Sequence, residues 1–229
     1  MDGSKRKVVV FSGAGLSADS GLDTFRDQGG LWHQVPVALV ATPEGWQQDP
    51  AFVTAFYNDR RRDIAKAQPN AAHLAIARLE QRFEVTVITQ NLDDLHERAG
   101  SSRVLHLHGE ITKARSLAAP GQLYEIGYRD LGAEERDAAG GLLRPHVVWF
   151  GEAPLAMDEA LAAIKVADKV LVVGTSLIVQ PAASLLKKAR YQADKRIVAL
   201  DINSKPFGYR FIRGRAANVV PAIACDWLA

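Results

Sequence analysis

Short, nearly continuous apolar runs punctuate the chain: Lys7–Ser12 (KVVVFS), Glu84–Thr89 (EVTVIT), Lys169–Gly174 (KVLVVG) and Arg196–Asp201 (RIVALD), with Arg103–Leu107 (RVLHL) as a shorter fifth. Runs without polar alternation are the pattern of parallel strands covered on both faces. Between them lie stretches of helical spacing: Pro50–Gln68, Ala71–Gln81, Asn91–Ala99, Met157–Val166 and Pro181–Gln192. Asn70 is suited to cap the second, and Pro181 stands where a first helical turn tolerates a missing N–H. Strand alternating with helix predicts an α/β fold, a Rossmann-like parallel sheet with helices on both faces.

Two segments break that rhythm. Asp19–Thr42 is irregular in the manner of a loop that closes over a ligand. Thr112–Leu143, rich in Ala and Gly, is too long for a plain loop and is expected to form a small inserted subdomain or lid. The chain therefore reads as one domain. Its core covers about residues 1–35, 70–112 and 144–229, with a helical and loop insert at about 36–69 and a small insert at about 113–143.

Composition changes this picture mainly by exclusion. A chain of 229 residues buries about 70–75% of the surface its unfolded form exposes, enough for a full core. With 28 basic against 26 acidic side chains, nothing electrostatic favours nucleic acid as a partner. No apolar run approaches the roughly 18 residues of a membrane span. The lone Cys225 rules out an intramolecular disulfide and a cysteine-built zinc site. The basic start, Met1 to Lys7, leads into too short an apolar run for a signal peptide, so a cytoplasmic protein is expected, and a monomer.

Candidate chemistry begins where the first strand ends. Gly13-Ala14-Gly15-Leu16-Ser17-Ala18 satisfies G-x-G-x-x-G/A, a turn that brings backbone amides to a pyrophosphate at a helix N-terminus. A tight strand–helix turn without a ligand fits nearly as well. The acidic residue usually found about 20 positions on is missing, which weakens a nicotinamide-dependent oxidoreductase. Asp201-Ile202-Asn203, ending a later strand, is suited to ribose hydroxyls instead.

Gly13–Asp27 reads GAGLSADSGLDTFRD and resembles the GAGxSxxSGIxxFR signature of the sirtuins, NAD-dependent protein-lysine deacylases. Further matches occur in the family's order: Thr89–Asp93 (TQNLD), Leu107–Glu110 (LHGE), Val148–Glu152 (VWFGE), Gly174–Leu177 (GTSL) and Asp201–Asn203 (DIN). The segments ATPEGW, AFYNDRRR and LRPHVVWFGE look most like the bacterial CobB-type subgroup. The resemblance implies that the acyl-lysine amide oxygen attacks C1′ of the nicotinamide ribose. Nicotinamide leaves, and the acyl group ends on the ribose as O-acyl-ADP-ribose.

It also implies roles. Gly13, Ala14, Gly15, Ser17, Asp23, Phe25, Arg26, Gln90, Asn91, Asp93, Gly174, Thr175, Ser176 and Asn203 would bind NAD. Phe25 would shield C1′ from water; read alone it is an apolar anchor for a loop. Asn91 would orient the ribose and an attacking water, and Asp93 would help form the nicotinamide pocket. Read alone, they are a helix N-cap and a first-turn dipole partner. His108 is the candidate base, because imidazole titrates near neutrality. Each of His33, His73, His96, His106 and His146 competes with it, and the LHGE context favours His108.

For the substrate, Tyr57 and Arg60 share a face of a helical stretch. A planar guanidinium fork matches a carboxylate, and a phenol adds a donor. In class III sirtuins this Tyr-x-x-Arg spacing recognises succinyl- or malonyl-lysine. Arg60-Arg61-Arg62 could equally be a solvated helix face, and the match to AFYNxRRR decides for recognition. Val148, Phe150, Gly151 and Glu152 resemble the edge segment that pairs with a substrate peptide.

Most sirtuins carry two Cys-x-x-Cys pairs on structural zinc. This chain has Ser116 and Asp137–Gly140 at about those positions, and no zinc is expected. Packing by Leu117, Leu123, Tyr124, Ile126, Tyr128, Leu131 and Leu142 is expected to replace the metal. The leading expectation is a deacylase acting on succinyl-, malonyl- and acetyl-lysine; the alternative is a catalytically silent NAD- or ADP-ribose-binding module.

Overall fold

The computed structural model describes residues 5–24, 35–202 and 205–229. Among these, the strands are β1 (Lys7–Ser12), β2 (Glu84–Thr89), β3 (Val104–His106), β4 (Gly109–Ser116), β5 (Leu123–Glu125), β6 (Leu143–Val147), β7 (Lys169–Val173), β8 (Asp194–Ala199) and β9 (Arg210–Arg213). The α-helices are α1 (Val37–Val40), α2 (Pro43–Gln48), α3 (Pro50–Lys66), α4 (Ala71–Arg78), α5 (Leu95–Arg98), α6 (Met157–Val166) and α7 (Ala216–Leu228).

Six strands form a parallel sheet in the order β3-β2-β1-β7-β8-β9. Alternate residues of β1 serve opposite faces, as the two-residue repeat requires. Val8 and Val10 pack with α4 and α7, through Ala72, Ile76, Val220 and Trp227. Val9 and Phe11 pack with α6 and the 3-10 segment Ala182–Lys188, through Ile164, Leu185 and Leu186. The chain leaves β1 toward β2 and β3 on one side, then returns to β7, β8 and β9 on the other. That reversal puts a crevice at the carboxyl ends of β1 and β7, where open α/β sheets bind ligands.

Helix starts obey local chemistry. The Asn70 carboxamide accepts the Ala72 N–H at 2.9 Å and caps α4, and the Asp49 carboxylate accepts the Phe52 N–H at 2.8 Å to start α3. Two expected helices are corrected. Residues 91–94 are a loop before the single turn of α5, because the Thr89 hydroxyl accepts the Asn91 N–H and the Asp93 carboxylate accepts the Leu95 N–H. Such local bonds compete with helix formation. After Pro181 the chain makes a 3-10 helix that ends at Lys188, well short of Gln192.

The stretch expected as an insert belongs to a three-stranded antiparallel sheet, β5-β4-β6, running from Gly109 to Val147. Ala114, Ile126, Leu131 and Leu143 fill its core, with Tyr124 against them and Leu142 on the neighbouring cluster. Leu117, Leu123 and Tyr128 are exposed, so that part of the packing expectation is corrected. Polar anchors take their place. The wholly buried Arg61 donates from Nε to the Ile111 carbonyl at 2.8 Å and from Nη1 to Asn58. Asn58 in turn exchanges bonds with the Leu131 backbone, and Arg62 pairs with Asp59 and Asp130. The arginine run on α3 is therefore only partly a solvated face: it ties the helix to the small sheet. Among the described residues no helix is long and apolar enough to cross a membrane.

Candidate active site

Register assembles the site. Ser12 of β1 lies opposite Thr89 of β2 and Val173 of β7, so the turns beginning at Gly13, Gln90 and Gly174 emerge side by side. Val173 also pairs with Val198 of β8, which brings Leu200 and Asp201 to the same edge. Thr89 pairs with His106 of β3, and His108 comes two residues later.

The glycines are explained first by backbone packing. The Gly13 N–H donates to the Val173 carbonyl at 3.1 Å, and the Gly15 N–H to the Gly174 carbonyl at 2.8 Å. Gly174 has φ +65°, and a Cβ there would lie 2.1 Å from the Leu16 nitrogen, so this crossing admits only glycine. The expectation of a helix N-terminus at this turn is corrected. Past Gly13 the described residues form two short 3-10 turns, Ala14–Leu16 and Ala18–Ser20, rather than an α-helix. The Thr175 hydroxyl donates to the Gln90 side-chain oxygen at 3.0 Å and ties the second turn to the third.

Below these turns runs a buried polar chain. Asn91 Nδ2 donates to the Ser17 hydroxyl at 3.1 Å, and that hydroxyl donates to Asp93 Oδ2 at 2.9 Å. Burial raises the Asp93 carboxyl above its ordinary pKa, outweighing the bonds from Ser17 and the Leu95 N–H. Asn91 Oδ1 is buried with no partner among the described residues. An orphaned acceptor on a cavity wall is what a ligand hydroxyl or amide would satisfy.

His108 Nδ1 lies 3.2 Å from the Gln90 carbonyl. A carbonyl oxygen only accepts, so Nδ1 carries the proton and the Nε2 lone pair is left as a base. Burial lowers the His108 pKa, and the Gln90 contact opposes this only in part, so the imidazole is neutral at neutral pH. Three of the competing histidines are engaged elsewhere. His106 bridges the Asn91 carbonyl and Glu97, and His96 is buried against the Ser12 hydroxyl beside His73.

Two cavities hold the candidates. The larger, about 480 Å³, is lined by Gly13, Ala14, Gly15, Tyr57, Gln90, Asn91, His108, Val148, Phe150, Gly151, Glu152, Gly174, Thr175 and Ser176. The second, about 390 Å³, is lined by Ala14, Ser17, Asp23, Tyr57, Arg60, Asn91 and Asp93. Tyr57, Asn91 and Ala14 line both. Phe25, Arg26 and Asn203, with the rival His33, lie outside the described residues.

Some neighbours were not foreseen. Trp149, packed on Trp46, donates its indole N–H to the buried Tyr57 hydroxyl at 3.2 Å. Arg144 stacks 3.4 Å from the centre of the Trp149 ring and, with Arg115, grips the Glu152 carboxylate. Burial alone would raise the Glu152 carboxyl, but Arg144, the Trp149 N–H and the Arg115 charge hold it below its ordinary pKa. Glu152 thus braces the 147–152 turn. The Val148 and Phe150 N–H groups are used internally, on the His108 and Ala41 carbonyls, so these two donors are not free to pair with a peptide. Asp19 and Arg215 also line the large cavity and pair with each other at 3.1 Å, 196 residues apart in sequence, a pairing that no local motif signals.

Comparison with known proteins meets this geometry. Residues 13–181 match the Sir2 family. An NAD-dependent protein deacylase of Bacteroides thetaiotaomicron is 50% identical over 186 residues, covering 79% of this chain and 80% of that one. A Sir2 homologue in complex with NAD superposes with a TM-score of 0.84 at 36% identity, covering 98% of this chain and 90% of that one. Sir2Tm bound to a propionylated peptide gives 0.79 at 28% identity, covering 97% and 93%. The glycine crossing, the polar chain beneath it and the histidine at its rim accordingly lie in a chain that belongs to the Sir2 family.

Proposed function

We propose that the chain is an NAD-dependent protein-lysine deacylase that removes succinyl, malonyl and also acetyl groups, yielding nicotinamide and O-acyl-ADP-ribose. The observation that carries this reading is the pair of cavities meeting at Tyr57 and Asn91. One presents His108 and the glycine turns, and the other presents Arg60. The names of the similar proteins support the cofactor and the reaction class.

The residues fit NAD. The Thr175 and Ser176 hydroxyls and the close glycine turns suit phosphate and ribose, and the orphaned Asn91 Oδ1 awaits a donor. When bound, NAD supplies the ribose carbon that receives the acyl-lysine oxygen and nicotinamide as leaving group. His108 Nε2 takes the proton of a ribose hydroxyl. Ser17 and Asp93 hold Asn91 in place, and Trp149 fixes Tyr57 at the junction. The Tyr57 oxygen already accepts from Trp149, and burial keeps the phenol protonated, so its own proton is free for a substrate acceptor. Arg60 Nε is buried and unpartnered among the described residues, a second unused donor on the same cavity.

The test is one peptide carried as acetyl-, malonyl- and succinyl-lysine, with NAD present or omitted. All three should lose the acyl group only with NAD and in step with nicotinamide release. NAD binding without turnover of any peptide would leave a silent binding module.

The small sheet does not fit the family's zinc. Among the described residues no three His, Cys, Asp or Glu side chains gather closely enough for a metal. The Ser116 oxygen accepts the Ala118 and Ala119 N–H groups, and Asp137 accepts those of Ala139 and Gly141. The Ser116 hydroxyl, and after it the Gly141 and Ala139 N–H groups, hold Asp137 below its ordinary pKa. We read this network, with the Arg61 anchor, as holding the insert without metal. Protein purified without chelator should contain far less than one zinc equivalent, and EDTA should leave its melting temperature unchanged. A full equivalent of zinc would overturn the reading.

A further inference from the structure

Arg60 is not free in the acyl cavity. Its Nη2 lies 3.1 Å from Asp63 Oδ2, one helical turn along α3, and both side chains line the second cavity. The two differ in their freedom to move. Arg60 is 24% exposed, its guanidinium is 5.8 Å from the centre of the Phe56 ring, and its Nε is buried without a partner. The Asp63 side chain is 48% exposed and can turn into water without breaking a buried contact. The neighbouring acid, Asp59, is committed to Arg62. Among the described residues Asp63 is thus the carboxylate paired with Arg60.

We propose that Asp63 is a resident carboxylate that occupies the Arg60 fork until an acidic acyl group displaces it. It thereby limits the preference for succinyl- and malonyl-lysine over acetyl-lysine. The inference rests on the acyl-recognition role given to Arg60 above. When a neutral acetyl group fills the cavity, Asp63 keeps the guanidinium paired, and an uncharged substrate meets no isolated cation. When a carboxylate enters, it competes with Asp63 for the same donors and is also repelled by that charge. A half-exposed ion pair is weak, so displacement is readily reversible, and Asp63 moderates the preference for acidic acyl groups without abolishing it.

The test compares Asp63→Asn and Asp63→Glu with the wild-type protein on succinyl, malonyl and acetyl forms of one peptide. Titration calorimetry of the succinyl peptide without NAD gives a readout independent of turnover. Removing the charge in Asp63→Asn should raise the succinyl-to-acetyl ratio of kcat/KM by about three- to tenfold, the scale of a lost weak ion pair plus a lost repulsion. The change should appear in KM, with tighter binding of the succinyl peptide. Asp63→Glu restores the charge and should keep the ratio near that of wild type. A ratio that stays constant or falls in Asp63→Asn overturns the proposal, making Asp63 an ordinary helix partner or an anchor that Arg60 needs. If Arg60→Met lowers desuccinylation selectively while Asp63→Asn leaves the ratio alone, only this inference fails. If Arg60→Met has no selective effect, the recognition role and this inference fail together.

Discussion

Replacing His108 by alanine is expected to lower kcat for deacylation by about 10²–10⁴-fold, the usual contribution of a positioned general base. Nicotinamide release in the presence of acylated peptide gives the rate, and titration calorimetry gives NAD affinity, which should change far less. The split arises from the geometry. Backbone turns at Gly13, Gly15 and Gly174, with the Thr175 hydroxyl, line the cavity independently of the imidazole. The Gln90 carbonyl holds the His108 tautomer that leaves the Nε2 lone pair free, so alanine removes the group proposed to move the proton. The pH profile supplies a second readout. Burial lowers the folded-state pKa of His108, so the neutral, active form persists below the ordinary histidine value of about 6.5. The acid limb of kcat/KM should therefore fall below that pH and vanish in the variant. A variant that keeps wild-type turnover, or one that loses NAD binding and activity equally, would remove His108 from the role of base.

Five of the six parallel strands were legible because they need no tertiary help to be read, and β9 was not among them. Lys7–Ser12 and Glu84–Thr89 are apolar almost throughout, and their observed bounds coincide with those runs. The small sheet was not legible, because a register shift between Gly109 and Ala114 breaks the two-residue alternation of β4. Helix α7 escaped for a different reason: Pro221 stands inside it, and an internal proline ordinarily argues against a helix. Its strongly apolar face against β1 and β7 outweighs that cost.

At the site, short motifs at strand ends were readable because each occupies a single turn. The glycines signalled close approach, and the partner seen at that approach is the backbone of the other turn. Relations between distant segments could not be read. Trp149 reaches Tyr57 across 92 residues, and Arg61, which looked like one member of a surface charge run, is buried on a carbonyl 50 residues away. Charge runs report composition, and only packing decides which member goes inside.

The second large effect falls on substrate choice. Arg60→Met is expected to cut kcat/KM for succinyl- and malonyl-lysine by about 30-fold or more, the low end of the roughly 2–5 kcal/mol lost when one partner of a desolvated charge pair is removed. Deacetylation should change much less. Methionine is the informative replacement because it keeps an unbranched stem against Phe56 while deleting every donor. The lost donors include the buried, unpartnered Nε, and Tyr57 retains only one hydrogen to offer a carboxylate. A purely structural Arg60 predicts otherwise: among the described residues it makes one ion pair, to Asp63, and one ring contact, neither of which touches His108 or the glycine turns. Losing them would lower stability and all three acyl activities together. The ratio of succinyl to acetyl turnover, measured on one peptide beside the melting temperature, separates these outcomes. Equal loss on every acyl group would return Arg60 to the surface of α3 as a packing residue and leave the acidic-acyl preference without a cation to explain it.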